Sequence, residues 1–272
     1  MRLLGFCVAF LCLAPLCIGN PVKAETYFGF DRNEYPGDPL LLALHRSFAY
    51  TGYWLNNPPG DSGNTWTGKR AILKSNGFGF MVLYNGRLDA QLTGKDAAPL
   101  GRSDALDAIS AAKREGFAPD AIIFLDQEEG GRLLPEQSAY LFAWVEAIRA
   151  SQYKPGVYCS GILVPDGSSK ISTARDILSH EGNRPLALWV ANDACPPAPG
   201  CVIPKKHLAP ATSGISQALV WQYAQSPRRQ FARQCAASYA ADSSCYAPRT
   251  PHSPQTFLDL NVSSSPDPSG PR

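Results

Sequence analysis

The sequence predicts a single α/β fold, a (β/α)8 TIM-like barrel with degenerate helices. Short apolar segments recur along residues 25–262, and several are apolar almost throughout, as strands covered on both faces should be. Helical patterns alternate with these segments, which is typical of βα units around a parallel sheet. About eight strands in about 248 residues correspond to roughly 31 residues per unit, which suits such a barrel.

A doubly wound open sheet is the second interpretation of the same alternation. No GxGxxG or GxxxxGK[ST] motif follows a strand, which weakens the nucleotide-binding version of that fold. The predicted strands are 27–30, 50–55, 79–84, 121–125, 155–159, 186–191, 219–223 and 257–260.

Two helices have clear sequence signals. Ser103 is predicted to cap a helix over 104–115. Pro135 suits the first turn of a second helix, over 136–150, which carries an apolar stripe. Residues 263–272 are predicted to form a disordered tail.

Residues 1–24 have the layout of a secretory signal peptide. Arg2 precedes an apolar run, and a small residue, Ala24, precedes the expected cleavage point. The run is short for a membrane span, although an uncleaved anchor is the alternative. We therefore expect a secreted or periplasmic protein, cleaved after Ala24, with no membrane span in the mature chain.

The overall charge excludes partners that are recruited by a basic field. The chain has 25 Lys and Arg residues, 23 Asp and Glu residues and a formal charge of +2. Cleavage would remove two of the basic residues and three of the eight cysteines, which leaves the mature chain evenly balanced. A nucleic-acid binder or a polybasic membrane protein should be strongly basic instead. We expect a monomer that uses no cofactor.

The remaining cysteines are consistent with an oxidising compartment. Two close pairs are natural disulfides there, although spacing does not fix connectivity and other pairings stay open. The polar, Pro-rich segment 224–256 is predicted to be a disulfide-bearing insertion before the last strand. Cys159 is expected to be a buried and inert thiol. The two pairs are Cys195 with Cys201, and Cys235 with Cys245.

Acidic residues lie where the predicted strands end. Asp31 ends the first strand, Asp126 and Glu128 end the fourth, and Asp259 ends the last, two positions before Asn261. The carboxyl ends of parallel strands meet at one mouth of a barrel, so these side chains should converge. Two positions of extended backbone also direct Asp126 and Glu128 to the same side. Each acid could instead cap the helix or turn that follows it.

Converging carboxyl groups suit the cleavage of a glycoside. Crowding splits their pKa values, so that one group donates a proton while another stays ionised. Glycoside cleavage needs both an acid on the leaving oxygen and an anion beside an oxocarbenium-like centre. Aromatic faces near strand ends could stack on sugar rings, and an amide could bind hydroxyl groups, although single aromatic residues usually belong to the core. These binding candidates are Tyr53, Trp54, Tyr84, Trp189, Trp221, Gln222 and Tyr223.

Other chemistries have weaker signals. The histidines show neither HExxH nor Cys/His spacing, so no metal site is expected. There is no G-x-S-x-G nucleophile motif. The histidines are His45, His180, His207 and His252.

Several short elements, in order along the chain, carry a family resemblance. They are Gly29-Phe30-Asp31, Tyr50-Thr51-Gly52-Tyr53-Trp54, Phe124-Leu125-Asp126-Gln127-Glu128, Pro155-Gly156-Val157-Tyr158, Trp189-Val190-Ala191, Trp221-Gln222-Tyr223 and Asp259-Leu260-Asn261. With these elements the chain resembles a bacterial glycoside-hydrolase-like domain family, long described as a domain of unknown function. The barrel of that family is similar to the family 25 glycoside hydrolases, the N-acetylmuramidase-type lysozymes.

The resemblance implies roles for individual residues. Glu128 corresponds to the general acid, and Asp126 to the partner that orients a substrate acetamido group in a substrate-assisted mechanism. Asp31 and Asp259 correspond to ligands of sugar or water, with Asn261 beside them. The element at 50–54 and the insertion belong to the unknown-function branch, so the fold transfers better than the activity.

The sequence therefore supports an exported glycosidase that acts on a cell-wall polysaccharide such as peptidoglycan, with the sugar polymer as its partner. Two alternatives stay open: a glycan-binding barrel without turnover, and another cell-wall hydrolase, such as an amidase, that uses the same carboxylates.

Overall fold

The computed structural model describes residues 25–195, 208–226 and 257–271. The strands are β1 (Tyr27–Asp31), β2 (Tyr50–Trp54), β3 (Gly79–Asn85), β4 (Ile122–Asp126), β5 (Lys154–Ser160), β6 (Val164–Asp166), β7 (Ser169–Ile171), β8 (Ala187–Cys195), β9 (Ala218–Ala224) and β10 (Asp259–Ser263). The helices are α1 (Leu41–His45), α2 (Arg70–Ser75), α3 (Asp89–Leu92), α4 (Ala97–Arg114), α5 (Pro135–Arg149) and α6 (Thr173–Glu181).

Eight of these strands form a closed barrel, in the order β1-β10-β9-β8-β5-β4-β3-β2. The prediction of a TIM-like barrel is confirmed. The expectation that all its strands run parallel is wrong for β10, which is antiparallel to both β1 and β9. Antiparallel neighbours do not need the helical crossover that parallel neighbours require. The hairpin of β6 and β7 lies outside the barrel.

The direction of β10 changes how its acid reaches the mouth. Asp259 was predicted to end the last strand, but it begins β10. Because β10 runs in the opposite direction, its first residue lies beside Asp31, the last residue of β1. Asp259 therefore reaches the carboxyl ends of the parallel strands from the amino end of its own strand.

The longest helix begins earlier than the sequence predicted. The structure places the start of α4 at Ala97, so that Ser103 lies inside the helix and does not cap it. Gly101 lies against α5, where an added Cβ would be 2.2 Å from the carbonyl oxygen of Tyr140. The glycine therefore permits close packing of two helices. Helix α5 begins at Pro135, as predicted.

Large side chains fill the barrel interior. Phe124 and Trp189 meet edge to face with ring centroids 6.3 Å apart. Gly29 leaves room for the ring of Tyr50, whose nearest atom would be 2.2 Å from a Cβ at that position. A filled barrel has no pore, so ligands must bind at its ends.

The predicted tail is ordered where it is described. Ser269 is buried, and its hydroxyl accepts a hydrogen bond from the amide of Val82 at 2.9 Å. Asp267 accepts a bond from the amide of Phe80 at 2.8 Å, and the Ser269 carbonyl accepts one from Ile122. Disorder was therefore the wrong prediction for residues 263–271, because polar side chains bond to amides near the amino ends of β3 and β4.

Cys159 is a free, buried cysteine, as expected, and burial raises the pKa of its thiol to about 12. Within the described ranges, no helix is long and apolar enough to cross a membrane. The remaining predictions fall outside those ranges, namely the signal peptide at 1–24, most of the insertion, the side chain of Cys195, and residues Cys201, Cys235 and Cys245.

Candidate functional site

Carboxyl groups converge at the mouth where the parallel strands end. Asp31, Asp126 and Glu128, which come from β1 and from the end of β4, act electrostatically on one another. Asp259 acts on Asp31, and Asp193 acts on Asp259. The structure therefore brings together the acids that the sequence predicted to converge, and it adds Asp193.

Asp31 is held by two amide side chains. Its Oδ1 accepts hydrogen bonds from Asn261 Nδ2 at 2.6 Å and from Gln222 Nε2 at 3.0 Å. Gly52 makes room for it, because a Cβ there would lie 2.7 Å from Asp31 Cβ. Burial raises the pKa of Asp31 well above its ordinary value, the charge of Asp259 raises it further, and the two amide donors oppose the rise.

Two aromatic side chains fix the orientation of those amides. The indole of Trp189 donates to Asn261 Oδ1 at 2.8 Å, so the amide nitrogen of Asn261 must face Asp31. Tyr158 donates its hydroxyl hydrogen to Gln222 Oε1 at 2.9 Å, with the same effect on Gln222. The network holds one donor from each amide on Asp31.

Tyr158 is a functional candidate to which the sequence reasoning assigned no role. Its ring packs on Trp189 with a centroid separation of 4.3 Å. Burial and the nearby carboxylates raise its pKa, so its hydroxyl keeps the proton that it donates to Gln222. The sequence did contain a signal for this role, because Tyr158 belongs to the Pro155-Gly156-Val157-Tyr158 element near the end of β5.

Asp126 and Glu128 form a coupled pair. Asp126 is only 5% exposed, whereas Glu128 is exposed at the mouth. Asp126 Oδ1 is buried and receives no hydrogen bond from any donor in the described part of the chain. Burial raises the pKa of both groups, most strongly that of Asp126, which donates a shared proton to Glu128.

Asp259 and Asp193 add two more carboxyl groups. In the strand order, they lie on the other side of Asp31 from Asp126 and Glu128. Burial raises the pKa of both Asp259 and Asp193 to about 6, although a hydrogen bond from the amide of Ser226 opposes the rise at Asp259. Asp193 follows Trp189 and Ala191 at alternate positions of β8. Glu128 likewise lies two positions after an inward-facing residue, Asp126. The same spacing after Ala191 could have identified Asp193 from the sequence.

Several predicted binding aromatics do not reach the mouth. Tyr53 is fully buried, packs on Trp66 and Phe117, and donates to Glu115 Oε2. Tyr84 lies beside α4, where the charges of Asp104 and Asp107 act on it. Both residues therefore belong to the packing between strands and helices.

Trp221 and Tyr223 alternate with Gln222 along β9, so they face away from Asp31. Their rings pack on each other at 5.8 Å, and the Trp221 indole donates to the Asn192 carbonyl. Trp54 and Trp189 share the inward face with the acids but are almost completely buried. None of these rings offers a broad free face for stacking.

The described residues contain no group of three or more His, Cys, Asp or Glu side chains arranged to hold a metal ion. The acid-lined mouth suits the transfer of protons to and from a ligand, because it combines buried carboxyl groups of raised pKa with an exposed one.

Comparisons with solved structures identify the same fold. An uncharacterised protein of B. stearothermophilus superposes with a TM-score of 0.55 at 20% identity, covering 87% of this chain and 95% of that one. The Tat-secreted protein Rv2525c of Mycobacterium tuberculosis, solved with HEPES, gives 0.50 at 14% identity, covering 88% and 95%. The spore cortex lytic enzyme SleM of Clostridium perfringens gives 0.51 at 15% identity, covering 90% and 69%.

No curated protein sequence matches the chain. A family profile does match it, over residues 56–198, which is more than half of its length. The matched region includes β3, β4 and β5, with both Asp126 and Glu128. The chain belongs to the Rv2525c-like, glycoside hydrolase-like domain family.

Proposed function

We propose that the protein is an exported glycosidase that cleaves a cell-wall polysaccharide such as peptidoglycan. The observation that carries the proposal is the coupled pair of Asp126 and Glu128, set in a mouth that also holds Asp31 and Asp259. Membership in a glycoside hydrolase-like family and a fold shared with a spore cortex lytic enzyme support it.

Glu128 is the general acid in this proposal. It is the exposed member of the pair, so its carboxyl group can reach a glycosidic oxygen. Desolvation raises its pKa, although the hydrogen bond from Asp126 opposes that rise. Glu128 would therefore receive the proton for the first step from Asp126. Bound glycan would exclude more water from the mouth and increase the desolvation.

Asp126 supports the reaction from behind Glu128. Its buried Oδ1 has no hydrogen-bond donor among the described residues, and a rotation of the side chain would let a substrate amide supply one. In a substrate-assisted reaction, Asp126 would hold the acetamido N–H while the acetamido oxygen attacks the anomeric carbon. As Asp126 takes that hydrogen bond, the proton it shares would pass to Glu128, which delivers it to the leaving oxygen.

Asp31 and Asp259 would hold sugar hydroxyl groups or the water that completes hydrolysis. Asp31 is rigid, because Asn261 and Gln222 fix it. The secretory layout of residues 1–24, together with the Tat-secreted neighbour Rv2525c, supports action outside the cytoplasm.

The test is digestion of purified bacterial cell walls by the mature protein, measured as new reducing ends and by product mass. The wild type should release reducing ends, and Glu128→Gln should reduce the rate by at least about a hundredfold. Glu136→Gln, a carboxyl-to-amide change in the first turn of α5, serves as the matched control and should retain activity.

Cell walls that bind the protein without release of any product would contradict catalysis and favour a binding barrel. Products with free amines and no new reducing ends would indicate an amidase. Full activity in Glu128→Gln would remove Glu128 from the role of acid.

A further inference from the structure

Arg32 follows directly after Asp31 at the mouth, and few groups in the described part of the chain engage its guanidinium. The side chain is 22% exposed, and its Nη2 makes one long contact of 3.4 Å with Glu34, which is itself mostly exposed. Its Nε is buried and has no hydrogen-bond partner among the described residues. By contrast, Arg87 uses Nε and Nη2 to bind Asp104 at 2.7 and 2.8 Å.

The backbone around Arg32 is rigid. The indole of Trp54 donates to the Arg32 carbonyl at 3.0 Å, and the indole of Trp66 donates to the Asn33 carbonyl at 2.7 Å. Asn33 also donates to the Pro59 carbonyl at 2.9 Å. These bonds fix the backbone from which the partly desolvated cation extends, directly after Asp31 at the mouth.

The charge of Arg32 matters because its neighbours are acids. Asp259 acts electrostatically on Arg32, and Asp259 is coupled in turn to Asp31 and Asp193. A negatively charged ligand would be repelled by this mouth unless a cation received its charge. Because Nε is buried, a ligand would use the two terminal nitrogens, of which only Nη2 has a contact among the described residues. Two such donors suit a carboxylate, which a guanidinium can bind through two parallel hydrogen bonds.

We propose that Arg32 binds a carboxylate carried by the glycan substrate, and so selects sugar polymers that bear acidic groups. This inference rests on the proposed function, because it assumes that a glycan occupies the mouth. The carboxylate could belong to an ether-linked substituent of the sugar or to a uronic acid ring. A neutral polysaccharide would leave the donors of Arg32 unused.

Calorimetry tests the proposal in a Glu128→Gln background, where the ligand is not consumed. The ligands are peptide-free peptidoglycan strands with free ether-linked carboxylates, the same strands with each carboxylate coupled to methylamine, and uronic acid oligosaccharides. We expect the charged strands or the uronic acid oligosaccharides to bind about tenfold more tightly than the neutral strands. The tighter of the two identifies the source of the carboxylate.

Arg32→Gln should abolish that preference and leave the affinity for neutral strands unchanged. Arg32→Lys should keep part of it, and Arg46→Gln, at the exposed end of α1, should keep all of it. The preference should also weaken as salt concentration rises.

If the Glu128→Gln protein with Arg32 intact bound charged and neutral strands with equal affinity, the role of Arg32 would be overturned. The glycosidase proposal would still stand. Equal losses for both ligands in Arg32→Gln would also overturn it, because the residue would then only position the loop. Failure to bind any of the ligands would overturn both proposals.

Discussion

Asp31 and Asp259 lie directly opposite each other, where the last residue of β1 pairs with the first residue of β10. Two carboxyl groups thus occupy neighbouring positions in a buried part of the barrel, and each is held by a different donor set. Amide side chains hold Asp31, and the backbone amide of Ser226 holds Asp259. Their repulsion favours the protonated form of at least one of them.

The stability of the fold should therefore fall as pH rises. Burial raises the pKa of Asp259 from its ordinary value of 3.8 to about 6, so folding favours its protonated form. That contribution is complete below about pH 4 and is lost as pH rises through about 6. The measurement is the free energy of unfolding in urea at pH 4 and at pH 7. Between these pH values, the free energy of unfolding of Asp259→Asn should fall by about 1–2 kcal/mol less than that of the wild type. Asp107→Asn, on the exposed face of α4, should lose as much as the wild type.

The pH profile of hydrolysis should depend on Asp126. The pair of Asp126 and Glu128 retains a proton at a pH where isolated carboxyl groups have lost theirs, because burial opposes ionisation of both groups and the charge of Glu128 opposes that of Asp126. Asp126→Asn removes that coupling, so the alkaline limb of the residual activity should move to lower pH by about one unit. An unchanged alkaline limb would show that the pair does not control the reaction.

Asn261 should contribute to stability through both of its amide atoms. Asn261→Leu leaves the Trp189 indole without its acceptor and takes a donor from Asp31, all in buried surroundings. We expect a loss of about 2–4 kcal/mol in the free energy of unfolding. Trp189→Phe removes the indole N–H and part of a buried ring that packs on Tyr158, so it should also destabilise the fold. Because the two residues share one hydrogen bond, the double variant should cost less than the sum of the two.

Tyr53 should affect stability and leave the mouth unaffected. Tyr53→Phe removes its hydrogen bond to Glu115, on the side of β2 that faces the helices. The free energy of unfolding should fall by about 1 kcal/mol, while glycan binding measured by calorimetry should stay unchanged. A clear loss of glycan affinity would instead show that Tyr53 contributes to binding, as the sequence predicted.

Ser269 should protect β3 from hydrogen exchange. Ser269→Ala removes the acceptor for the amide of Val82, while the backbone carbonyl of residue 269 can still bind Ile122. Exchange at Val82 should accelerate by about tenfold, and that at Leu188, on the far side of the barrel, should be unchanged. Equal acceleration at both amides would indicate global destabilisation.

The barrel and its acids were accessible from the sequence because both leave local signals. Apolar strands of similar spacing predict the barrel, and an acid at a strand end must lie at one of its two ends. Asp259 begins an antiparallel strand instead of ending a parallel one, and the two differences compensate each other, so it reaches the predicted mouth. That is why Asp259 was correctly grouped with Asp31 although the direction of β10 was not foreseen.

The aromatic residues were harder to assign, for a physical reason. Strands covered on both faces lack an alternating pattern, so Tyr53 and Trp54 look equivalent although adjacent residues point to opposite sides. The ordered tail was missed for another reason. Its composition is that of a disordered segment. Asp267 and Ser269 stabilise it by accepting hydrogen bonds from amides of β3, which is far away in the sequence.

That distance affects how the protein reaches its folded state. Phe80 and Asp267 are 187 positions apart, and β10 fills the gap between β1 and β9. A chain that lacks residues 257–271 would expose two unpaired strand edges, which are templates for association with other chains. Closure of the ring therefore depends on its most remote contacts, a topology associated with slow folding and with a need for protection against aggregation until the final strand is in place.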